Sequence, residues 1–227
     1  MILNYNIDAT VLVRLVPRGT ELDVTEYGAL VSLVGFRFLD TRLFGIPVPF
    51  HRNFDEINLR FYVRRRVDGE WRRGVVFIKE IVPRRAVAAA ARWFYNENYV
   101  TARMSSTVSV PDAREDSKGR AVYQWGEDLC RSMSADFGGV PSIPASGSEQ
   151  AFVTEHYWGY TRQRDGSSME YQVDHPRWRV WSAANVLLSC DVDGTYGREY
   201  EGALLGEPRS ALVAEGSAVV VHRGTHI

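Results

Sequence analysis

Between residues 54 and 66 the chain reads FDEINLRFYVRRR, with Glu56, Asn58, Arg60 and Tyr62 at every second position. Side chains of an extended strand alternate between faces, so these four share one face with Arg64, while Ile57, Leu59, Phe61 and Val63 share the other. A carboxylate, an amide and a guanidinium on one face can move a proton, hold a polar group and anchor a carboxylate. The same alternation has a plainer reading, because antiparallel sheets commonly turn one face to the core and one to water. The two readings part over what the polar face meets. In one it is solvated; in the other it lines the inside of a barrel, and Glu56, Asn58 and Arg60 border a ligand cavity.

Amine chemistry has little to draw on. Of 27 basic residues, Lys79 and Lys118 are the lysines, and Arg neither loses its proton nor forms an imine. Strict alternation after Phe77 and Ile78 groups Lys79 with Phe77 and Ile81, which would let it turn inward. A strand lysine beside a glutamate is more commonly at the surface. Lys118 lies in the polar turn REDSKGR. The histidines show no ligand spacing, so neither a metal nor another cofactor is expected. His175, ahead of Pro176, reads as a turn or pocket-wall residue. Asp191-x-Asp193-Gly194 opens like a calcium loop, but the twelfth position is Gly202 rather than Glu, so a hairpin turn is expected instead. Serine-hydrolase, P-loop and dinucleotide motifs are absent from the sequence.

At 227 residues with 45% hydrophobic residues, the chain reads as a single globular domain, 1–227. A net charge of −1 gives no global pull toward nucleic acid or anionic membrane. The arginines at 64–66, 72–73 and 84–85 are interleaved with Asp68, Glu70 and Glu80, as on a solvated face. Two cysteines, Cys130 and Cys190, are too few for a disulfide framework and point to reduced thiols and a cytoplasmic setting. The N-terminus has no signal-peptide pattern, and no apolar run reaches the roughly 18 residues of a membrane span.

The elements that must carry these residues follow from local signals. Strands are expected at Leu3–Ile7 and Gly28–Leu39, and a helix after the N-cap Asp8, ended by Pro17. Gly45–Pro49 reads as a loop. Ile57–Arg65 and Trp71–Ile81 flank Asp68–Gly69, a hairpin signal. Pro83 opens a helix over RRAVAAAARWFY, with Val87, Ala91, Phe94 and Tyr95 on its buried face. Strands follow at Tyr99–Val110, Arg120–Trp125 and Leu129–Ala135. Ser146 with Glu149 forms a capping box for a short helix to about His156. A second hairpin spans Tyr157–Gln163 and Ser168–Val173, and strands near Val186–Cys190, Ser210–Val213 and Ala218–Arg223 complete an α+β pattern dominated by antiparallel sheet.

The order of several short blocks resembles a bacterial family. Glu56-x-Asn58-x-Arg60-x-Tyr62-Val63, Ala91-Arg92 with Tyr99-x-x-Ala102-x-Met104, Phe152-x-x-Glu155-x-Tyr157 and His175-Pro176-x-Trp178 are similar to the successive blocks of the YqjF-like group, a domain of unknown function related to acetoacetate decarboxylase. The resemblance covers nearly the whole chain. It implies an antiparallel cone-shaped β-barrel with a few flanking helices and an internal pocket. In the decarboxylase a lysine forms an imine with a β-keto acid, aided by a glutamate and an arginine. The resemblance sets Tyr99 at the lysine position, Arg92 at the arginine of the same block and Glu56 near the glutamate; the decarboxylase's own site arginine precedes the point where this chain begins. It implies a pocket for a small anionic or carbonyl-bearing metabolite, lined by Asn58, Arg60, Arg92 and His175. The alternatives are a lyase or isomerase with Glu56 as base and Tyr99 as hydroxyl donor, or an interaction protein with no ligand.

Overall fold

The computed structural model describes the chain apart from residues 27, 44–45, 48–51, 95 and 113–116, and apart from the side chains of 42–43, 46–47 and 90–94. The first half contains β1 (Ile2–Ile7), α1 (Ala9–Val13), β2 (Glu21–Leu22), β3 (Ala29–Phe38), β4 (Arg42–Leu43), β5 (Ile46–Pro47), β6 (Phe54–Val67), β7 (Glu70–Val82), α2 (Arg85–Phe94), β8 (Tyr99–Thr101) and β9 (Met104–Ser109). The second contains β10 (Lys118–Trp125), β11 (Arg131–Gly138), α3 (Glu149–Thr154), β12 (Trp158–Arg162), β13 (Ser168–Asp174) and β14 (Val180–Ser189). It ends with α4 (Val192–Tyr196), α5 (Glu201–Leu204), β15 (Ser210–Ala214), β16 (Val220–Val221) and β17 (Thr225–His226).

Local chemistry accounts for the element ends. Asp68 and Gly69 take φ of 49° and 88°, the pair of left-handed residues that a two-residue hairpin needs to match strand twist. Asp8 caps α1, its Oδ1 accepting from Thr10 N at 2.9 Å. Three expectations are corrected here. The cap of α3 is Ser148, which accepts from Ala151 N at 3.1 Å, whereas Ser146 falls two residues early, in the preceding turn. Asp191 starts α4 rather than a hairpin, accepting from Gly194 N at 3.0 Å: a short acidic side chain ahead of a turn suits an N-cap as well as a hairpin. The strand expected at Tyr99–Val110 is broken into β8 and β9.

A single sheet of fifteen strands carries the fold, running β16-β13-β12-β7-β6-β3-β1-β15-β14-β11-β10-β9, with β2, β8 and β17 paired at its side. Its ladders are antiparallel except where β7 meets β12 and β8. The expected barrel is not closed by pairing among the described residues: the ladder ends at β16 and β9. The sheet curls all the same. Gly35 of β3 faces Tyr123 so closely that a Cβ there would lie 2.9 Å from the ring, and Ser106 of β9 donates to Asp55 of β6 at 2.8 Å. Side chains bring β9 and β10 back against β6 and β3.

The curl gives the sheet two covered faces. Leu3, Leu33, Leu59, Phe61, Trp125 and Met133 form the main core. On the other face Val34, Tyr62 and Val75 pack under Phe152 and Val153 of α3, and Phe54 and Val82 under Ala88 of α2. The polar side of β6 belongs to this second face. From Glu56 to Tyr62 it is roofed by helices rather than turned to bulk water. On the buried face expected for α2, Ala88 is enclosed and Val87 partly so, while Ala91, Phe94 and Tyr95 fall outside the described side chains.

The arginine run is largely neutralised. Arg64 pairs with Glu21, Arg65 and Arg72 with the buried Glu170, and Arg73 with the buried Asp23. Cys130 and Cys190 are free. Among the described residues no helix is long and apolar enough to cross a membrane.

Candidate functional site

The site is built by a defect in the β6–β7 ladder. Arg60 faces Phe77 and Leu59 faces Lys79, which leaves Ile78 unpaired as a bulge. One extra residue reverses the side-chain phase of the strand beyond it. Val75 and Phe77 lie on the helix-covered face before the bulge; after it, Glu80 and Val82 do. Asn58 is therefore directly opposite Glu80, and Glu80 pairs in turn with Tyr99 of β8. Asn58, Glu80 and Tyr99 form one row across three strands, with Glu56 two residues along β6.

Glu56 is 2% exposed. Its Oε1 accepts from Asn58 Nδ2 and its Oε2 from the Tyr99 hydroxyl, each at 3.1 Å. Burial raises its pKa to about 7, against the opposing pull of those two bonds and of the Arg60 charge. Glu80 is as deeply buried, and its Oε2 has no hydrogen-bond partner. Desolvation, then the charges of Glu97 and Glu56, push its pKa well up. Glu97, in the turn before β8, accepts from the Tyr171 hydroxyl at 3.0 Å and is raised by burial to about 8. Tyr99 stays protonated, its pKa driven up by burial and by Glu56 and Glu80. Arg60 donates through Nη2 to Val153 O at 3.0 Å, which ties it to α3, while its buried Nε and the Asn58 Oδ1 have no partner.

Near neutral pH this is a cluster of mostly protonated acids around one phenol. Protonated carboxyls and a tyrosine hydroxyl donate hydrogen bonds to a carbonyl oxygen, and a carboxyl with a pKa near 7 can take or give a proton at little cost. No group of three or more His, Cys, Asp or Glu among the described residues has the geometry to hold a metal ion.

The other sequence candidates are dispersed. Lys79 lies on the Leu59 side of β7, facing the main core, and its Nζ donates to the Thr195 carbonyl. The expectation that it shares a face with Phe77 fails because of the bulge. His175 sits beyond β13, stacked on Trp178 with ring centroids 4.1 Å apart and beside Tyr157; its ring contacts are there, not at Glu56. Arg92 is on α2, and its side chain lies outside the described residues.

Sequence reasoning missed Glu80, Glu97 and Tyr171. Glu80 carries no pattern signal, since strict alternation assigns it to the face opposite Glu56. Glu97 and Tyr171 meet only through the tertiary fold. It also missed His156, which is buried between Tyr62 and Phe152, lies 4.0 Å from Asp23 and has neither ring nitrogen hydrogen-bonded. Burial and the Arg60 and Arg73 charges hold its pKa well below the ordinary histidine value.

Comparison with known proteins gives a consistent set of likenesses. The profile of DUF2071, described as an uncharacterized conserved protein, matches residues 1–218. The "Uncharacterized protein YqjF" of Bacillus subtilis is 27% identical over 200 residues, 86% of this chain and 77% of that protein. Acetoacetate decarboxylase from Legionella pneumophila superposes with a TM-score of 0.61 at 14% identity, covering 100% of this chain and 83% of that one. An acetoacetate decarboxylase-like enzyme from Sphingomonas wittichii gives 0.64 at 10% identity, covering 100% and 89%. The enduracididine biosynthesis enzyme MppR, complexed with pyruvate, gives 0.59 at 10% identity, covering 99% and 86%.

Proposed function

The chain belongs to the DUF2071 family and is similar in fold to acetoacetate decarboxylase, and from that premise we propose that it binds a small carbonyl-bearing metabolite, anionic or neutral, at the Glu56–Tyr99 cluster. The observation that carries the reading is the row Asn58–Glu80–Tyr99 beside Glu56, in which Asn58 Oδ1, Glu80 Oε2 and the neighbouring Arg60 Nε are buried without hydrogen-bond partners. A buried unsatisfied polar group costs on the order of 1–3 kcal/mol, and a ligand oxygen that accepts from Arg60 Nε or from the protonated Glu80 removes that cost at those two atoms. Tyr99 and the protonated carboxyls donate to the carbonyl oxygen. Arg60, with its free Nε, faces a carboxylate if the ligand has one. MppR, of similar fold, has been crystallised with pyruvate, a molecule of this class. The chain acts as one cone-shaped domain, residues 1–227, in a reducing cytoplasmic setting that suits its free thiols. The neutralised arginine run offers nothing to nucleic acid.

A second reading is favoured by one observation, the pKa of Glu56 near 7 with Tyr99 hydrogen-bonded to it. In it Glu56 removes a proton next to the carbonyl while Tyr99 stabilises the enolate, chemistry of the lyase or isomerase type that needs no imine. Titrating the protein with pyruvate and with lactate separates binding from its absence: saturable binding of pyruvate, weakened at least tenfold in Glu56→Gln and Tyr99→Phe, is expected, and equal affinity for lactate would count against a carbonyl site. Incorporation of deuterium from D2O into the pyruvate methyl, lost in Glu56→Gln, is the signature of the catalytic reading.

A further inference from the structure

The two cysteines of the chain, far apart in sequence, meet at the ends of neighbouring strands. Cys130 stands just ahead of β11 and Cys190 just after β14. These strands pair antiparallel with Ser132 opposite Ser189, so one more step of the same register sets Arg131 opposite Cys190 and Cys130 opposite Asp191. The cysteines are then diagonal neighbours with Cα atoms about 6 Å apart, inside the span that a disulfide bridges. Arg131 Nη2 lies 3.9 Å from Asp191 Oδ2, which keeps the two strand ends together beyond the ladder.

The turn ahead of Cys130 folds its sulfur back toward this point. Leu129 donates from its backbone to the Gly126 carbonyl at 3.3 Å and takes a φ of 54°, a left-handed conformation that is costly for a bulky side chain. Gly126 leaves room for the thiol: a Cβ on it would lie 3.5 Å from Cys130 Sγ and 2.9 Å from Arg131 Nη1. The guanidinium thus flanks the Cys130 sulfur, and its charge also acts on Cys190. A cation beside a thiol favours the thiolate, which is the reactive form. Cys130 is exposed and Cys190 half-buried. Burial raises the Cys190 pKa, against the Arg131 charge and a hydrogen bond from its Sγ to Thr195 Oγ1 at 3.6 Å.

We propose that Cys130 and Cys190 are a redox-responsive modification site, at which a low-molecular-weight disulfide such as glutathione disulfide closes a reversible bond between them. The exposed Cys130 thiolate attacks one sulfur of the oxidant, forming a mixed disulfide and expelling a glutathione thiolate. The Cys190 thiolate then attacks the Cys130 sulfur; the internal S–S bond forms and a second glutathione thiolate leaves. The two released thiolates take up the two protons that the cysteines gave up. The protein has lost two hydrogens, and the oxidant is reduced to two thiols. The effect falls on α4, because Cys190 no longer donates to Thr195, the residue whose carbonyl accepts from Lys79 of β7.

The test is incubation of the folded full chain in glutathione buffers of increasing oxidation, followed by alkylation with N-ethylmaleimide and by intact-mass and peptide analysis. The expected product is lighter by two hydrogens, carries neither glutathione nor the alkylating reagent, and maps to a Cys130–Cys190 link. Dithiothreitol should return it to two free thiols. Cys190→Ser removes the resolving thiol and should instead accumulate glutathione on Cys130. Two thiols of one chain can also close in the unfolded state, so the reaction is repeated in urea. Closure should be about tenfold or more faster in the folded protein, where the sulfurs are held as neighbours. Closure no faster in the folded chain than in urea overturns the proposal. So does folded wild-type protein that stops at glutathionylated Cys130, or that links Cys130 to a second chain.

Discussion

Asn58 and Glu80 stand directly opposite each other across the β6–β7 ladder, and they do so because Ile78 is left out of it. Deleting Ile78 would remove the extra residue and leave Lys79 opposite Leu59 and Glu80 opposite Asn58; it is drawing Ile78 into the ladder that would turn Glu80 into the apolar core and bring Lys79 opposite Asn58. Stranding a charge in that way costs on the order of 3–5 kcal/mol, which holds Ile78 in the bulge. Deletion of Ile78 should therefore keep the phase of Glu80 and cost little more than Ile78→Ala, as read by urea unfolding. A much larger loss of stability on deletion than in Ile78→Ala would contradict the phase argument.

Stability should fall as pH rises above neutrality. Glu56 and Glu97 have folded pKa values of about 7 and 8 against 4.5 for the ordinary group, and Glu80 is also raised. The folded state thus holds protons that the unfolded chain has released, and stability is lost as pH climbs through the folded values. His156 works in the opposite sense: its folded pKa is depressed below 6.5, so its contribution is lost as pH falls under that value. Above pH 6.5 the carboxyls are opposed by the N-terminal amine, whose pKa burial lowers from 8.0 to about 5, so that its cost shrinks as pH rises toward 8; three carboxyls outweigh that one group. Denaturant midpoints should drop between pH 6.5 and 8.5, and the drop should shrink in Glu56→Gln combined with Glu97→Gln.

The Asp23–Arg73 pair should be asymmetric. Arg73 Nε and Nη2 donate to Asp23 at 2.6 and 3.2 Å, yet the carboxylate is 1% exposed and the guanidinium 44%. Removing the arginine strands a buried carboxylate, relieved in part by Arg64 at 4.0 Å; removing the carboxylate lets Arg73 turn to water. Arg73→Ala should cost about 2–4 kcal/mol and Asp23→Ala about half that, the exposed partner being discounted for solvent screening. Thermal melts of the two variants decide the order.

Gly159 leaves room for the Tyr171 ring: a Cβ there would lie 2.1 Å from its Cζ. Gly159→Ala must push the phenol off Glu97, at a cost of roughly 1–3 kcal/mol for overpacking. Because the lost hydrogen bond favours the ionised form, the Glu97 pKa should rise further. Carbonyl-carbon NMR titration should show the same upward shift in Tyr171→Phe, without the overpacking cost.

Borohydride reduction in the presence of acetoacetate should leave Lys79 unmodified. Its amine is held by the Thr195 carbonyl on the core side of β7, across the sheet from Glu56. A reduced adduct mapped to Lys79 by peptide mass would overturn that placement.

Much of the framework is readable in the sequence. The Asp68–Gly69 turn, the Asp8 cap and the alternation along β6 are local signals, and the structure has each where the residues indicate. The placement of Glu56, Asn58 and Arg60 on one face follows from period alone. What covers that face does not, because α3 arrives from nearly a hundred positions away, as the Arg60 to Val153 bond shows. The bulge at Ile78 is equally hidden: Phe77, Ile78 and Lys79 would fit an unbroken strand, and only pairing with β6 reveals the extra residue. The face on which Glu80 lies is hidden for that reason, while Glu97 meets Tyr171 only across 74 residues of tertiary fold.

The position of β1 in the sheet has a consequence for how the chain folds. It lies between β3 and β15, and its Asn4 side chain bonds Ser210, 206 residues later. During synthesis at roughly 5–20 residues per second, β1 waits some 10–40 s with one edge unpaired. Until β15 arrives, the backbone donors and acceptors of Ile2–Asn4 lie open along that edge, and premature pairing between two nascent chains competes with the native register. Folding speed in this protein is therefore tied to its longest-range contact, and truncation ahead of Ser210 should yield aggregation rather than a smaller folded unit.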